Sequence, residues 1–140
     1  MILIAHRGNT FGNSDRENHP DYVQATLNQG YHVEVDVWYA FGKFSLGHDE
    51  PQYVINKDFL KNPHVWCHAK TITTLQKLLD LEVTCFFHDS DAVTLTSNSY
   101  IWTYPGKTLT KKSICVLPEK DYLPEKCAGI CSDYISMYKK

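Results

Sequence analysis

The chain has 140 residues, a formal net charge of −2, 43% hydrophobic residues and 13% aromatic residues. This length and composition predict a single domain, residues 1–140, that buries a core, and they exclude a disordered chain. The nearly balanced charge provides no electrostatic footprint for nucleic acid, so we expect no nucleic-acid partner.

The first half of the chain alternates between strand and helix patterns. A strand is predicted at 2–6, and after a polar loop a helix begins near Pro20 and stops at Gly30. A second strand is predicted at 32–38, followed by an aromatic-rich strand or hairpin arm at 40–48. Strand and helix therefore follow each other from the first residues onward.

The second half continues with shorter elements. A strand is predicted at 65–69, and in the next helix Thr73 with Gln76 resembles a capping box. Further strands are predicted at 83–88, 100–104, 113–117 and 128–132, and one helical turn within Pro118 to Lys126. Strands interleaved with helices favour an α/β fold with parallel pairing.

The chain is short for a complete β/α barrel, which usually takes ~250 residues. Only two good helices are predicted, so an outer helical ring would be largely missing and strand faces would be uncovered. A homo-oligomeric interface is the simplest cover for them, and we therefore predict a homo-oligomer.

Targeting and redox patterns are also informative. No apolar run approaches the ~20 residues of a membrane span. The apolar start, Met1 to Ala5, is interrupted by His6 and is too short for a secretory signal, so we expect a cytoplasmic protein without a membrane span. The five cysteines are odd in number and contain no CxxC pair, which favours reduced structural thiols.

Polar residues follow many of the predicted strands. These strand ends are His6-Arg7, Glu34-Val35-Asp36, His48-Asp49, His68-Ala69-Lys70, His88-Asp89, Tyr104-Pro105, Pro118-Glu119 and Ser132-Asp133. In barrels and open α/β sheets, chemistry collects at the carboxyl ends of strands. We therefore expect a functional site formed by these side chains.

Two carboxylates share one face of the second strand. Period-2 alternation places Glu34 and Asp36 on the same side, where they repel each other unless a cation lies between them. Oxygen ligands suit a hard divalent ion such as Mg²⁺ or Ca²⁺. A solvated edge-strand face is the alternative explanation, and the neighbouring histidine strand ends count against it.

The first half of the chain resembles the glycerophosphodiester phosphodiesterase family, which belongs with the phosphatidylinositol-phospholipase-C-like phosphodiesterases. The resemblance depends on the order and intervals of His6-Arg7-Gly8, Glu17-Asn18, Glu34-Val35-Asp36-Val37 and His48-Asp49. The second half matches the family less well and lacks its long insertions, which is typical of a miniature branch. The implied fold is a reduced TIM-like β/α barrel with few outer helices.

The resemblance also implies roles for individual residues and a divalent metal, Mg²⁺ or Ca²⁺ in the first place. His6 and His48 would be the acid–base pair, while Glu34 and Asp36 would be metal ligands. Arg7 would bind a phosphoryl oxygen, and Glu17 would bind or orient groups near the metal.

The chain departs from the family pattern at the third metal carboxylate. The family has Glu-x-Lys there, whereas this chain has His68-Ala69-Lys70. Lys70 is kept for the phosphate, and His68 is the candidate third ligand. Imidazole tolerates Mn²⁺ or Zn²⁺ better than Mg²⁺. Three alternatives stay open: a softer ion on His68, a shell completed by water and Glu17, or low metal affinity and activity.

The predicted function is metal-dependent hydrolysis of a small phosphodiester, similar to a glycerophosphodiester, by histidine acid–base catalysis. One alternative is a non-catalytic phosphate- or nucleotide-sugar-binding module on the same fold. Another is a zinc hydrolase that gathers His6, His48, His68 and His88, although the first strand lacks the His-x-His pair of zinc-dependent barrel hydrolases.

Overall fold

A computed structural model describes residues 1–120 and 126–139 of the protein. The strands of this part are β1 (Ile2–His6), β2 (His32–Ala40), β3 (Lys43–Leu46), β4 (Tyr53–Ile55), β5 (Val65–Ala69), β6 (Cys85–Phe86), β7 (Val93–Leu95), β8 (Ile101–Thr103), β9 (Ser113–Val116) and β10 (Gly129–Ser132). Its α-helices are α1 (Pro20–Asn28), α2 (Lys57–Leu60) and α3 (Ile72–Asp80), with 3-10 helices at Pro118–Lys120 and Ile135–Tyr138.

The strands form one curled, mixed sheet. Its parallel part has the order β8-β9-β10-β1-β2-β5-β6. Antiparallel strands join this part at two places: β3 and β4 extend from the end of β2, and β7 pairs with β8 at the edge of the sheet. The α/β class, the parallel pairing and the small number of helices agree with the sequence prediction.

The curl does not close into a complete barrel in the described residues, where no strand ladder joins β6 to β7 or β8. Strand β6 and the loop between β7 and β8 nevertheless approach each other, because the Ser97 amide donates to the Cys85 carbonyl over 2.8 Å. The architecture is therefore a curled half-barrel with parallel strands at its centre.

The two faces of the sheet carry different cores. On the convex face, Val33, Val35 and Val37 of β2 pack with the apolar residues of α1 and α3. On the concave face, Trp66 and Trp102 approach to 5.9 Å between ring centroids although their strands are not neighbours. The concave core fills the lower part of the curl, and the polar strand ends lie above it.

Several element boundaries agree with the sequence. The bounds of β1 and β5 match the predicted strands 2–6 and 65–69. Helix α1 begins at Pro20 and is followed by Gly30, whose φ of +95° ends the helical path. Cys67, Cys85, Cys127 and Cys131 are free thiols, and all of the cysteines except Cys127 are buried.

Other elements differ from the prediction. The N-cap of α3 is Thr71, not Thr73, because the Thr71 hydroxyl accepts from the amide of Thr74. Strand β6 has two residues, and the short elements β4, α2 and β7 were not predicted. The turn predicted within 118–126 begins as a 3-10 helix at Pro118–Lys120, and its remainder lies largely outside the described residues. No helix in the described part is long and apolar enough to cross a membrane.

Candidate active site

Acidic and imidazole side chains meet at the carboxyl end of β2 and β5. Glu34 and Asp36 point to the concave face because the alternate valines of β2 occupy the convex core. The parallel register pairs Asp36 with His68 on β5. Side-chain ligand atoms of Glu34, Asp36 and His68 all lie within 4.8 Å of one another. The two carboxylates are almost fully buried, with 3% and 1% of their side chains exposed.

The histidine of this cluster lies between the two carboxylates. His68 Nδ1 is 3.2 Å from Asp36 Oδ1 and 3.9 Å from Glu34 Oε2. One imidazole nitrogen therefore contacts both acidic groups, and the three side chains could hold a cation with two oxygen ligands and one nitrogen ligand. This geometry brings together the three residues that the sequence predicted as metal ligands.

The loop after β1 holds Asp36 in position from below. Asn18 Nδ2 donates to Asp36 Oδ2 over 3.0 Å, and the Asp36 amide donates to Asn18 Oδ1 over 2.9 Å. The same loop packs closely on α1 at Gly8, which has a φ of +91° and where a Cβ would lie 2.8 Å from the ring of Tyr22. Asn18 is therefore a structural partner of the candidate site.

Two cations surround Asp36. Arg7 Nε lies 3.2 Å from Asp36 Oδ2, and Lys70 Nζ lies 3.9 Å from Asp36 Oδ1. Glu17 holds the other end of the guanidinium, since Arg7 Nη1 donates to Glu17 Oε1 over 3.0 Å. The predicted substrate-binding residues Arg7, Glu17 and Lys70 therefore all lie at the candidate site, and both cations remain partly exposed.

His6 is fixed between two carboxylates. Its Nδ1 lies 2.7 Å from Asp133 Oδ1, and its Nε2 lies 3.8 Å from Glu34 Oε1. Asn9 Nδ2 donates to the same oxygen of Asp133 over 2.9 Å, and Tyr22 donates to Asn9 Oδ1 over 3.0 Å. The imidazole is thus oriented by a hydrogen-bonded chain that leaves Nε2 directed toward the acidic cluster.

The surroundings of Glu34, Asp36 and His6 shift the pKa values of these groups in different directions. Burial and the neighbouring Asp36 raise the pKa of Glu34. Burial would also raise the pKa of Asp36, but hydrogen bonding from His68 and the charge of Arg7 hold it well below its usual range. Burial would lower the pKa of His6, but the hydrogen bond to Asp133 and the charge of Glu34 outweigh it and raise the pKa. Asp36 is therefore the firmly charged member of the pair.

His48 does not contact this cluster in the described structure. Its Nδ1 lies 2.7 Å from Asp49 Oδ1, and 45% of its side chain is exposed. The loop that carries it nevertheless begins beside the site, because the Gly47 amide donates to the Asp36 carbonyl over 3.1 Å. The predicted catalytic role of His48 thus stays a prediction.

Residues from the second half of the chain complete the wall. The His88 ring stacks on His68 with centroids 4.4 Å apart. Its Nε2 lies 2.7 Å from the Tyr104 hydroxyl. A four-histidine zinc cluster is not formed by the described residues, because His88 stacks on His68 through its ring face and His48 pairs with Asp49.

Two further residues contribute to the site, although the sequence patterns assigned neither of them an individual role. Asp133 contacts His6, and Asn18 binds Asp36. The Asp at the end of the last strand and the Glu17-Asn18 pair were the available signals.

Comparisons of the chain with protein-family models, with curated proteins and with solved structures gave no match.

Proposed function

We propose that this protein is a metal-dependent phosphodiesterase whose catalytic centre is the Glu34–Asp36–His68 cluster. The observation that carries the proposal is the convergence of these three side chains with two cations and a carboxylate-oriented histidine. A pair of carboxylates alone would need only a cation to neutralise its charge. This site also has cationic groups for phosphate binding and an oriented histidine for proton transfer.

The donor set fits a divalent ion. Octahedral Mg²⁺ at its usual ligand distance places neighbouring ligands about 3 Å apart and opposite ligands about 4.2 Å apart. The separations of 3.2 and 3.9 Å from His68 Nδ1 to the carboxylate oxygens lie in this range. We propose Mg²⁺ or Ca²⁺ first, with Mn²⁺ or Zn²⁺ as the alternatives that an imidazole ligand favours. A bound ion would supply Lewis-acid stabilisation of the phosphoryl charge.

Arg7 and Lys70 would bind the anionic phosphoryl group. Both now contact Asp36, and their side chains are partly exposed, so an arriving anion can reach them. Glu17 would keep the guanidinium oriented through its 3.0 Å hydrogen bond. Neutralisation of the diester is needed first because its negative charge repels a nucleophile.

His6 would transfer a proton during the reaction. The Asp133 hydrogen bond fixes its Nδ1 and leaves Nε2 for the substrate. We propose His48 as the second proton-transfer group, and this role requires its exposed ring to turn from Asp49 toward the phosphate. Positioned acid–base groups are typically worth ~10²–10⁴ in rate.

The curled sheet is proposed to be a reduced TIM-like β/α barrel with few outer helices. The parallel order β8-β9-β10-β1-β2-β5-β6 and the collection of polar residues at the carboxyl ends support this interpretation. We propose that the substrate is a small phosphodiester of the glycerophosphodiester type and that the protein is cytoplasmic. We also propose a homo-oligomer whose interface covers the exposed strand faces. Sedimentation velocity would test the last of these.

A non-catalytic phosphate- or nucleotide-sugar-binding module is the second candidate. The separation of His48 from the cluster favours it, because binding an anion needs the cations but no second proton-transfer group. The buried His6–Asp133 pair favours the enzyme, since binding alone does not require an oriented imidazole.

Turnover of an aryl phosphodiester and of glycerophosphodiesters, measured across Mg²⁺, Ca²⁺, Mn²⁺ and Zn²⁺, tests the proposal. We expect metal-dependent hydrolysis that Asp36→Asn reduces by at least about 10²-fold, together with weaker metal binding in calorimetry. Asp58→Asn is the matched control, because Asp58 is an exposed carboxylate on α2 and its loss should change neither quantity. Phosphate binding without turnover would favour the second candidate instead.

A further inference from the structure

A tyrosine hydroxyl lies on the wall of the candidate site that β6 and β8 provide. Trp102 and Tyr104 alternate along the end of β8 on the concave face, and Trp102 packs on Phe86 at 4.4 Å between ring centroids. Tyr104 follows above this apolar layer and contacts His88 at its hydroxyl. The Tyr104 hydroxyl therefore lies above the layer of aromatic rings, at the level of the acidic cluster.

His88 holds this hydroxyl in a defined place. His88 Nε2 lies 2.7 Å from the Tyr104 oxygen, and the two rings meet edge to face at 4.9 Å. His88 is itself held in place, because its ring stacks on the His68 ring at an interplanar angle of 16°. Tyr104 is therefore connected to the proposed ligand His68 through a single imidazole ring.

The acidic cluster acts on Tyr104 from across the interior. Burial, and after it the charge of Glu34 with a smaller part from Asp36, raises the pKa of Tyr104 above its ordinary value. The hydroxyl therefore keeps its proton, and its place at the site follows from its contact with His88, whose ring stacks on His68. A neutral hydroxyl is a suitable donor to an anion, because it adds no charge that would compete for the carboxylates.

We propose that Tyr104 donates a hydrogen bond to a non-bridging oxygen of the bound phosphodiester, with His88 donating to the Tyr104 oxygen. A hydroxyl both accepts and donates, so an N–H from His88 leaves the Tyr104 proton for the substrate. Arg7 and Lys70 would approach the anion from the side of Asp36. Tyr104 would approach it from the side of His88 and His68. This substrate-binding role depends on the proposed phosphodiester function.

The test compares Tyr104→Phe with Tyr100→Phe, a matched control at the opposite end of the same strand, β8. Tyr100 packs in the lower layer against Trp66 at 5.5 Å, so its hydroxyl should not reach the phosphate. With an aryl phosphodiester we expect Tyr104→Phe to lower kcat/KM by about tenfold or more, as expected for a lost hydrogen bond to a charged group. Tyr100→Phe should keep the wild-type value.

Variants of His88 test how the hydroxyl is held. His88→Gln keeps a side-chain N–H donor and should retain more activity than His88→Leu, which has none. Equal kcat/KM for the wild type and Tyr104→Phe, in the presence of measurable turnover, would overturn the role of Tyr104 and leave the phosphodiesterase proposal intact.

Binding provides the readout if the wild type shows no turnover, a result that would contradict the proposed enzyme. Inorganic phosphate is then titrated calorimetrically in the presence of Mg²⁺. A dissociation constant that is about tenfold larger for Tyr104→Phe, and unchanged for Tyr100→Phe, supports the hydrogen bond from Tyr104 to the phosphate. No binding, or equal binding by all three proteins, overturns it.

Discussion

Asp36 is the residue on which most contacts of the candidate site converge. One of its oxygens receives Asn18 and faces Arg7, while the other faces His68 and Lys70. A buried carboxylate with so many partners is stabilised in its charged form, which explains why its pKa falls while that of Glu34 rises. The same contacts hold it where an incoming cation would bind.

Asp133→Asn tests whether the carboxylate of Asp133 orients His6. An amide cannot stabilise a charged imidazole as a carboxylate does, so we expect kcat to fall by about 10²-fold. The pKa of His6, followed by NMR, should also fall, because the hydrogen bond that raises it is weakened. Metal affinity should stay unchanged, since Asp133 lies outside the Glu34–Asp36–His68 cluster.

Asp49→Asn is the control for this prediction. The Asp49–His48 pair has the same 2.7 Å separation, but Asp49 is 91% exposed and water can replace it. We expect nearly wild-type turnover. A comparable loss of rate in Asp49→Asn and Asp133→Asn would contradict the special role of the buried pair.

Among the elements, β2 does most to build the site. Its first residues pair with β1, its last residues form the hairpin with β3, and its other edge pairs with β5 along Val33 to Val37. A strand bonded on both edges cannot easily slip in register, since a shift of one residue would exchange the valine face for the acidic face. This double pairing keeps both carboxylates on the concave side.

Helix α3 depends on its cap. Thr71 accepts from the amide of Thr74, and the hydroxyl of Thr74 in turn accepts from the amide of Tyr39 at the end of β2. We expect Thr71→Ala to lower the free energy of unfolding by about 1 kcal/mol in urea denaturation. Thr73→Ala should have almost no effect, because Thr73 is exposed within the helix. The reverse order of the two effects would support the capping box that the sequence predicted.

At the scale of the whole molecule, the curled sheet divides the protein into a convex apolar core and a concave core with a polar end. A histidine lies in the lower part of the concave side, where Trp66 Nε1 donates to His32 Nδ1 over 3.0 Å. His64 stacks on His32 with ring centroids 4.1 Å apart. Burial and the neighbouring His64 lower the pKa of His32 to about 4.

This arrangement predicts a contribution to the pH dependence of stability. The unfolded chain, with a histidine pKa of about 6.5, binds more protons than folded His32 between pH 6.5 and 4. The contribution of His32 is therefore complete above pH 6.5 and is lost as the pH falls toward 4. We expect Tm to drop by about 3–6 °C more for the wild type than for His32→Gln between pH 7 and 5.

The comparison with His32→Gln is needed because other groups act in the opposite direction. The raised pKa of His6 adds stability as the pH falls below its folded value, and both proteins share this contribution. His64→Gln should reduce the effect, since it removes the second imidazole that disfavours charged His32. An identical Tm change in all three proteins would contradict the prediction.

Local patterns in the sequence determined much of the fold. Alternation placed Glu34 and Asp36 on one face, and the apolar runs gave the bounds of β1 and β5, because side-chain direction and burial follow a short period. Short edge elements such as β4 and β7 escaped prediction, since three residues are too few for a period and their pairing depends on a neighbouring strand. The cap of α3 was misplaced because several threonines precede its apolar stripe.

The partners across the curl were decided by tertiary structure. His6 and Asp133 are 127 positions apart, and their contact requires β10 to pair with β1 in one register. The same holds for His68 beside Asp36, and for Tyr104 facing the cluster through His88. A sequence specifies which residues share a face of one strand, whereas the contacts between distant strands arise only when the sheet curls and brings their ends together.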